Sequence, residues 1–323
     1  MSLRQLSIQW KITLLAGLCL LGIVSLLVGL SLYRMEHSSE LVKASSMEML
    51  NEAAQARIEA QGEVQALGIR QQFMDAYQYG HGFSRQVLFL REQAEKRFLD
   101  AFDLREDLTR QVKSALQANP DLLGLSLVFE ANALDGKDEL FGGQSELGSN
   151  EKGRFALYWS QPTPGKLTSM SLPESDMSDT RTGPSGQPAN AWFTCPRSTL
   201  KPCVIEPYFY DIDGQKVLMT SIVFPLMVDG KVIASLSVDI NLNSLQAISQ
   251  SASKRLYAGQ TNVSILSPVG LLAGYSPDAS KLSQRLDSVD TTNGAELIRL
   301  LANSTQTQSL NSNRELKVLA PFT

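Results

Sequence analysis

Residues 216–225, KVLMTSIVFP, and 231–241, KVIASLSVDIN, stand on either side of Val228-Asp229-Gly230. Two runs rich in branched and aromatic residues around an Asp-Gly pair predict a β-hairpin, because Asp-Gly supplies the positive φ that a tight turn between twisted strands requires. Along the second run Val232, Ala234, Leu236 and Val238 fall on one face, and Ser235, Ser237 and Asp239 on the other. The apolar face packs on a core; a face of small polar residues suits either open water or the wall of a pocket. The hairpin therefore predicts an antiparallel sheet with one committed face, and it singles out Asp239.

Working back along the chain, Leu122 to Glu130 (LLGLSLVFE) and Arg154 to Ser160 (RFALYWS) read as further buried strands, separated by Gly-rich and acidic turns. Residues 161–191 are rich in Pro, Gly, Ser and Asp and predict a long loop, which at that length is more often functional than idle. Two helical segments precede the strands, around Arg85 to Phe98 and Arg105 to Gln117, the second stopped by Asn119-Pro120. Working forward, Asn243 to Tyr257 predicts a helix, Val263 to Leu266 and Val269 to Tyr275 a hairpin, Ala295 to Leu301 a helix and Leu316 to Leu319 a strand. That last strand has no sequence after it to pair with, so the second unit reads as incomplete.

Upstream of the sheet, Glu36 to Tyr79 places Leu41, Met47, Leu50, Ala54, Ile58, Val64, Leu67 and Phe73 at helical spacing, predicting a long helix with one buried stripe. Gly80-His81-Gly82 is expected to break or bend it, with Ser84 capping the next helix and His81 a turn residue. Before that helix, Ile12 to Leu32 is an uncharged apolar run long enough to cross a bilayer. No small-x-small cleavage site follows it, so it reads as a retained transmembrane anchor embedded in lipid. Arg4 and Lys11 precede the run and Arg34 follows it closely, which puts residues 1–11 in the cytoplasm and the rest beyond the membrane.

The chain carries 29 Lys and Arg against 33 Asp and Glu, and three of the basic residues lie before residue 36 with no acid among them. The exported part is thus left with 26 basic against 33 acidic side chains, which repels phosphate backbones and argues against nucleic acid as a partner. Small cationic ligands are permitted. Of the three cysteines, Cys19 lies in the apolar run; Cys195 and Cys203 bracket a short segment on the oxidising side and predict a disulfide, the alternative being two buried thiols. With only His37 and His81 and no second cysteine pair, neither a metal site nor a cofactor is predicted. There is no paired nucleophile and base and no phosphate-cradling Gly loop, so an enzyme is not expected. The absence of repeats disfavours an adhesion protein.

Three stretches carry a resemblance: Ala191-Trp192-Phe193, Glu206-Pro207-Tyr208-Phe209-Tyr210-Asp211-Ile212-Asp213-Gly214 and Leu236-Ser237-Val238-Asp239-Ile240-Asn241-Leu242. A Trp, then Pro-Tyr-x-Asp, then a hairpin ending in Asp is similar to the distal pocket of double-Cache methyl-accepting chemotaxis receptors. Among these the chain most resembles receptors for biogenic amines, the polyamines and histamine. The resemblance implies an α+β fold: a transmembrane helix at 12–32, a signalling helix at 36–79, a membrane-distal Cache module with the pocket at 80–257, and an incomplete membrane-proximal module at 258–323. It also implies a periplasmic sensor on the bacterial inner membrane, a homodimer through the long helix, and cytoplasmic signalling proteins as partners.

Two departures bear on the ligand. Amino-acid-binding members carry an Arg two residues before the pocket Trp, whereas this chain has Asn190; without a guanidinium a carboxylate ligand enters poorly compensated. The extra aromatic in Tyr208-Phe209-Tyr210-Asp211 leaves open which of Tyr208 and Tyr210 faces the ligand. On this reading Asp239 and Asp211 hold an ammonium, and Trp192, Tyr208, Tyr210, Tyr158 or Trp159 offers aromatic faces. Glu174 and Asp176 serve the far end of a diamine. Each has a plainer reading: strand aromatics fill cores, and Asp211 caps the turn made with Asp213 and Gly214. The alternatives are the same sensor for amino acids or quaternary amines, or one coupled to a histidine kinase or a cyclic-dinucleotide enzyme.

Overall fold

The computed structural model describes residues 8–256, 259–304, 306–312 and 315–321. Residues 1–7, which include Arg4, and Tyr257 and Thr323 lie outside the described residues. The chain divides into two compact units, residues 61–308 with 319–323 and residues up to 60 with 309–318. The first contains the seven-stranded sheet and the candidate site.

Seven antiparallel strands form that sheet. In chain order they are β1 (Gly124–Phe129), β2 (Ala156–Thr163), β3 (Lys166–Ser171), β4 (Cys203–Val204), β5 (Tyr208–Ile212), β6 (Gln215–Val228) and β7 (Lys231–Asn241). The spatial order is β3-β2-β1-β7-β6-β4, with β5 also on the outer edge of β6. The expected hairpin is its centre: β6 and β7 pair from Met219↔Asn241 to Val228↔Lys231. The loop expected at 161–191 contains the end of β2, then β3, which folds back antiparallel along β2, and a one-turn helix α3 (Glu174–Met177).

One face of the sheet is covered by helices. Helix α2 (Ala101–Gln117) is capped by Asp100, whose carboxylate accepts from Phe102 N at 2.8 Å, and presents Leu104, Leu108, Val112 and Leu116 at i,i+4 spacing. These meet Leu125, Leu127, Leu218, Ile222, Phe224, Leu236 and Val238 in one buried cluster. Each such side chain contributes about 1.5–3 kcal/mol by leaving water, and alternation along β1, β6 and β7 selects which ones do.

Helix α1 (Ile8–Lys96) runs without interruption through Gly80-His81-Gly82, against the expected break. The glycine serves packing instead: a Cβ on Gly80 would stand 2.3 Å from Phe224 Cε2 and 2.7 Å from Val238 Cγ2, so its absence lets the helix backbone lie directly on the sheet. Ser84 does not cap a new helix; its hydroxyl donates to Gly80 O at 2.7 Å within the same one, and His81 stacks on Tyr77. The buried face of α1 also differs from the stripe read in sequence. Ala66, Ile69, Ala76, Phe83, Val87 and Ala94 are buried, whereas Met47, Leu50, Val64 and Leu67 are exposed; within 64–69 it is Ala66 and Ile69, not Val64 and Leu67, that turn inward.

After β7, α5 (Asn243–Arg255) leads to a hairpin of β8 (Ser264–Leu266) and β9 (Leu272–Tyr275), then α6 (Leu286–Val289) and α7 (Gly294–Asn303). Gln246 holds β9 by bonding both N and O of Tyr275. The strand expected at 316–319 is β11 (Glu315–Leu319), and it pairs with a preceding strand, β10 (Gln308–Ser312), that the sequence reading did not contain.

Candidate functional site

The other face of the sheet carries the polar stripe of β7. Asp239 is Cα-paired with Gly124 of β1 on one side and Ser221 of β6 on the other. It is 3% exposed and its Oδ1 has no hydrogen-bond partner among the described residues. A carboxylate taken from water without a paired cation is costly to ionise, and burial pushes Asp239 up to about 7 despite the lowering effect of the Ser221 and Tyr158 hydroxyls.

Three tyrosines surround it. Tyr158 of β2 is buried, its hydroxyl without a well-formed hydrogen bond, yet close enough to Asp239 that each alters the other's proton affinity. Burial above all, then the neighbouring Asp239, drives Tyr158 well above the ordinary phenol range. Strand β5 puts Tyr208, Tyr210 and Ile212 on the Asp239 side by alternation, through pairing with Met219, Val217 and Gln215. Both Tyr208 and Tyr210 therefore lie on the Asp239 side, and Phe209, the residue between them, points away and is 51% exposed. Tyr208 Oη lies 3.0 Å from Ser221 Oγ. Tyr158 and Tyr210, from strands on opposite sides of β7, meet edge to face with centroids 6.1 Å apart.

Beyond Tyr210 stands the second carboxylate. Tyr210 Oη donates to Asp176 Oδ2 at 3.5 Å, and burial raises Asp176 above the usual carboxylate range, against the lowering effect of the Ser175 and Tyr210 hydroxyls. Tyr210 itself is raised by burial first and then by the negative charges of Asp176 and Asp239. Trp192, on α4 (Ala191–Thr199), packs against the apolar clusters that contain Tyr208 and Tyr210. The middle of α4 is tied to β4 by the disulfide Cys195–Cys203. Asn190, at the position of the missing Arg, is buried and donates to Met177 O at 2.8 Å, joining the chain before α4 to the end of α3.

Three residues proposed from sequence do not join this group. Trp159 alternates with Tyr158 and so faces the helices, where Lys113 lies 5.1 Å from its ring. Glu174 is occupied by Arg154, which donates to both its oxygens at 2.7 and 3.0 Å. Asp211 points away from Asp239 and accepts from Gly214 N at 2.8 Å, the turn-capping role. Conversely Ser221 and Gly124 adjoin Asp239 and were not singled out. Alternation in 216–225 could have placed Ser221 opposite Asp239 once the register was known; nothing in the sequence marks Gly124 beyond its being a glycine inside a strand. Asp239, Asp176, Tyr158, Tyr208, Tyr210 and Trp192 thus form a group of acids and rings with no cation among them.

Residues 108–247 match the family model of the first PDC sensor domain of methyl-accepting chemotaxis protein-like proteins. Over 322 residues the chain is 61% identical to the methyl-accepting chemotaxis protein TlpQ of Pseudomonas aeruginosa, an alignment that covers 100% of this chain and 45% of TlpQ. The chain therefore spans less than half the length of this curated relative. Among solved structures it is similar to the extracellular domain of mmHK1S-Z2, assigned to the histidine kinases (TM-score 0.62, 19% identity, 82% of this chain and 90% of that one). It is also similar to the periplasmic sensory domain of the Campylobacter jejuni chemoreceptor Tlp1 (TM-score 0.58, 10% identity, 81% and 85%). At those identities the structural likeness shows the fold alone.

Proposed function

We propose that this chain, which carries a PDC sensor domain of the methyl-accepting chemotaxis protein type, is the sensory part of a transmembrane chemotaxis receptor that binds a small protonated amine at Asp239. Such a domain is a binding module rather than a catalyst. The observation that carries the amine reading is the buried Asp239 among Tyr158, Tyr208 and Tyr210, with one carboxylate oxygen, Oδ1, that has no hydrogen-bond partner among the described residues. An ammonium ion supplies the missing charge and donors, and the rings add about 0.5–2 kcal/mol per desolvated cation–π contact. Asp176, rather than Glu174, then serves the second nitrogen of a diamine, and the absence of a guanidinium at Asn190 disfavours ligands with a carboxylate.

On this reading Ile12–Leu32 spans the inner membrane, residues 80–257 form a membrane-distal Cache module in the periplasm, and residues 258–323 belong to a proximal one. The helix that contains Ile12–Leu32 is long and apolar enough to cross a bilayer. The exposed Met47, Leu50, Val64 and Leu67 support pairing of two copies along α1. Ligand binding biases signalling only through different affinity for two receptor states, and the likeness to TlpQ supports chemotaxis as the output rather than a kinase or a cyclic-dinucleotide enzyme.

Calorimetric titration of the chain in lipid nanodiscs with putrescine, spermidine, histamine, choline and ordinary amino acids tests the proposal. Binding of the protonated amines is expected. Preference for amino acids sinks the amine assignment, and preference for choline moves it to quaternary amines.

A further inference from the structure

Gly124 faces Asp239 directly across the β1–β7 ladder, in a strand bonded on both sides to β2 and β7. A Cβ on it would lie 2.7 Å from both Cε2 and Oη of Tyr158 and 2.9 Å from Cζ. Side chains do not approach that closely, so the phenol end of Tyr158 occupies the volume that any other residue at 124 would fill. Glycine inside a strand weakens it and is kept where something must come close; here that is a ring rather than a backbone. The ring has little freedom to retreat, since it is buried and its neighbour Tyr210 stands edge to face at 6.1 Å.

We infer that Gly124 determines the specificity of the amine site: its missing side chain seats the Tyr158 phenol over the strand beside Asp239, and so sets how deep the site is and how much aromatic surface lines it. This rests on the amine reading above. With alanine at 124 the phenol moves off β1, the carboxylate loses its hydroxyl neighbour, and the ammonium loses one ring. Gly124 acts only through Tyr158 and touches no ligand itself, which makes it a positioning residue.

A double-mutant cycle on the nanodisc-embedded chain tests this, using whichever of putrescine, spermidine and histamine binds the wild type most tightly. Gly124→Ala is expected to weaken binding about tenfold, the combined scale of a lost cation–π contact and a forced rotamer. In the Tyr158→Ala background the same change is expected to alter affinity less than about twofold, because the ring it collides with is gone. If Gly124→Ala binds like the wild type, or costs as much without Tyr158 as with it, the inference is overturned. If Gly124→Ala fails to fold while Gly124→Ala/Tyr158→Ala folds, the collision is confirmed; if neither folds, the glycine serves the strand itself and the inference falls. If the wild type binds none of the amines, the amine reading falls separately. The ¹³C resonance of Tyr158, assigned with Tyr158→Phe, then still reports whether Gly124→Ala displaces the ring.

Discussion

Arg105 and Asp239 are both charged side chains sealed inside the same unit, 0% and 3% exposed, and they are treated in opposite ways. Arg105 is finished. Its Nε and Nη2 donate to the two oxygens of Asp135 at 2.8 and 3.0 Å, Nη2 also reaches Asp138 at 2.8 Å, and Nη1 takes Ser149 Oγ and Gly153 O, each at 2.7 Å. The guanidinium also lies 4.0 Å from the Phe141 ring. Asp239 has neighbouring hydroxyls and no cation. A buried charge with every donor used fixes a loop in place, here residues 130–155; a buried charge left open is a place for something from outside.

The largest effect is expected from breaking the finished side. Arg105→Leu leaves Asp135 and Asp138 buried without a cation, which costs about 3–5 kcal/mol and is read by denaturant unfolding. If stability falls by less than about 1 kcal/mol, the contrast between the two sites is not one of completion.

On the open side, the effect is one of pH. Asp239 has a folded value of about 7 against 3.8 when free, so the folded state holds the proton more tightly. Stability is therefore fully present at low pH and is lost as pH rises through about 7, by on the order of a few kcal/mol. Melting curves of the unliganded chain from pH 5 to 8 are expected to show this fall, and a saturating amine or Asp239→Asn is expected to abolish it. Asp239→Asn is also expected to weaken amine binding by about 2 kcal/mol or more in calorimetry. A folded variant that binds normally removes Asp239 from the site. Tyr208→Phe, which loses the contact with Ser221, is expected to cost about 1 kcal/mol of stability. Trp159→Phe, on the helix face, is expected to leave amine affinity within about twofold; a larger loss in titration means the two faces of the sheet are not independent.

Sequence alone carried the sheet further than the site. The β6–β7 hairpin and the two faces of β7 were readable because alternation and an Asp-Gly turn are local signals. Tyr158 and Trp159 could not be separated, since which of two adjacent strand residues shares the Asp239 face depends on a register that only the pairing Ser126↔Tyr158 and Ser126↔Ser237 settles. Glu174 and Asp176 are two residues apart on one turn of helix, and what distinguishes them is Arg154, distant in sequence, which bonds Glu174 and leaves Asp176 beside Tyr210. Gly80 misled because glycine is the same letter whether it breaks a helix or lets one lie close to a sheet.

Val238 and Asp239 are consecutive residues of β7 on opposite faces of the sheet. Asp239 looks toward the tyrosines, and Val238 touches the bare backbone of α1 at Gly80. Only the peptide unit between them and the Val238 side chain thus separate the acid from the helix. A side chain at Gly80 would meet Phe224 and Val238, and so would press on the strand that carries Asp239 while altering none of the acids and rings on the opposite face.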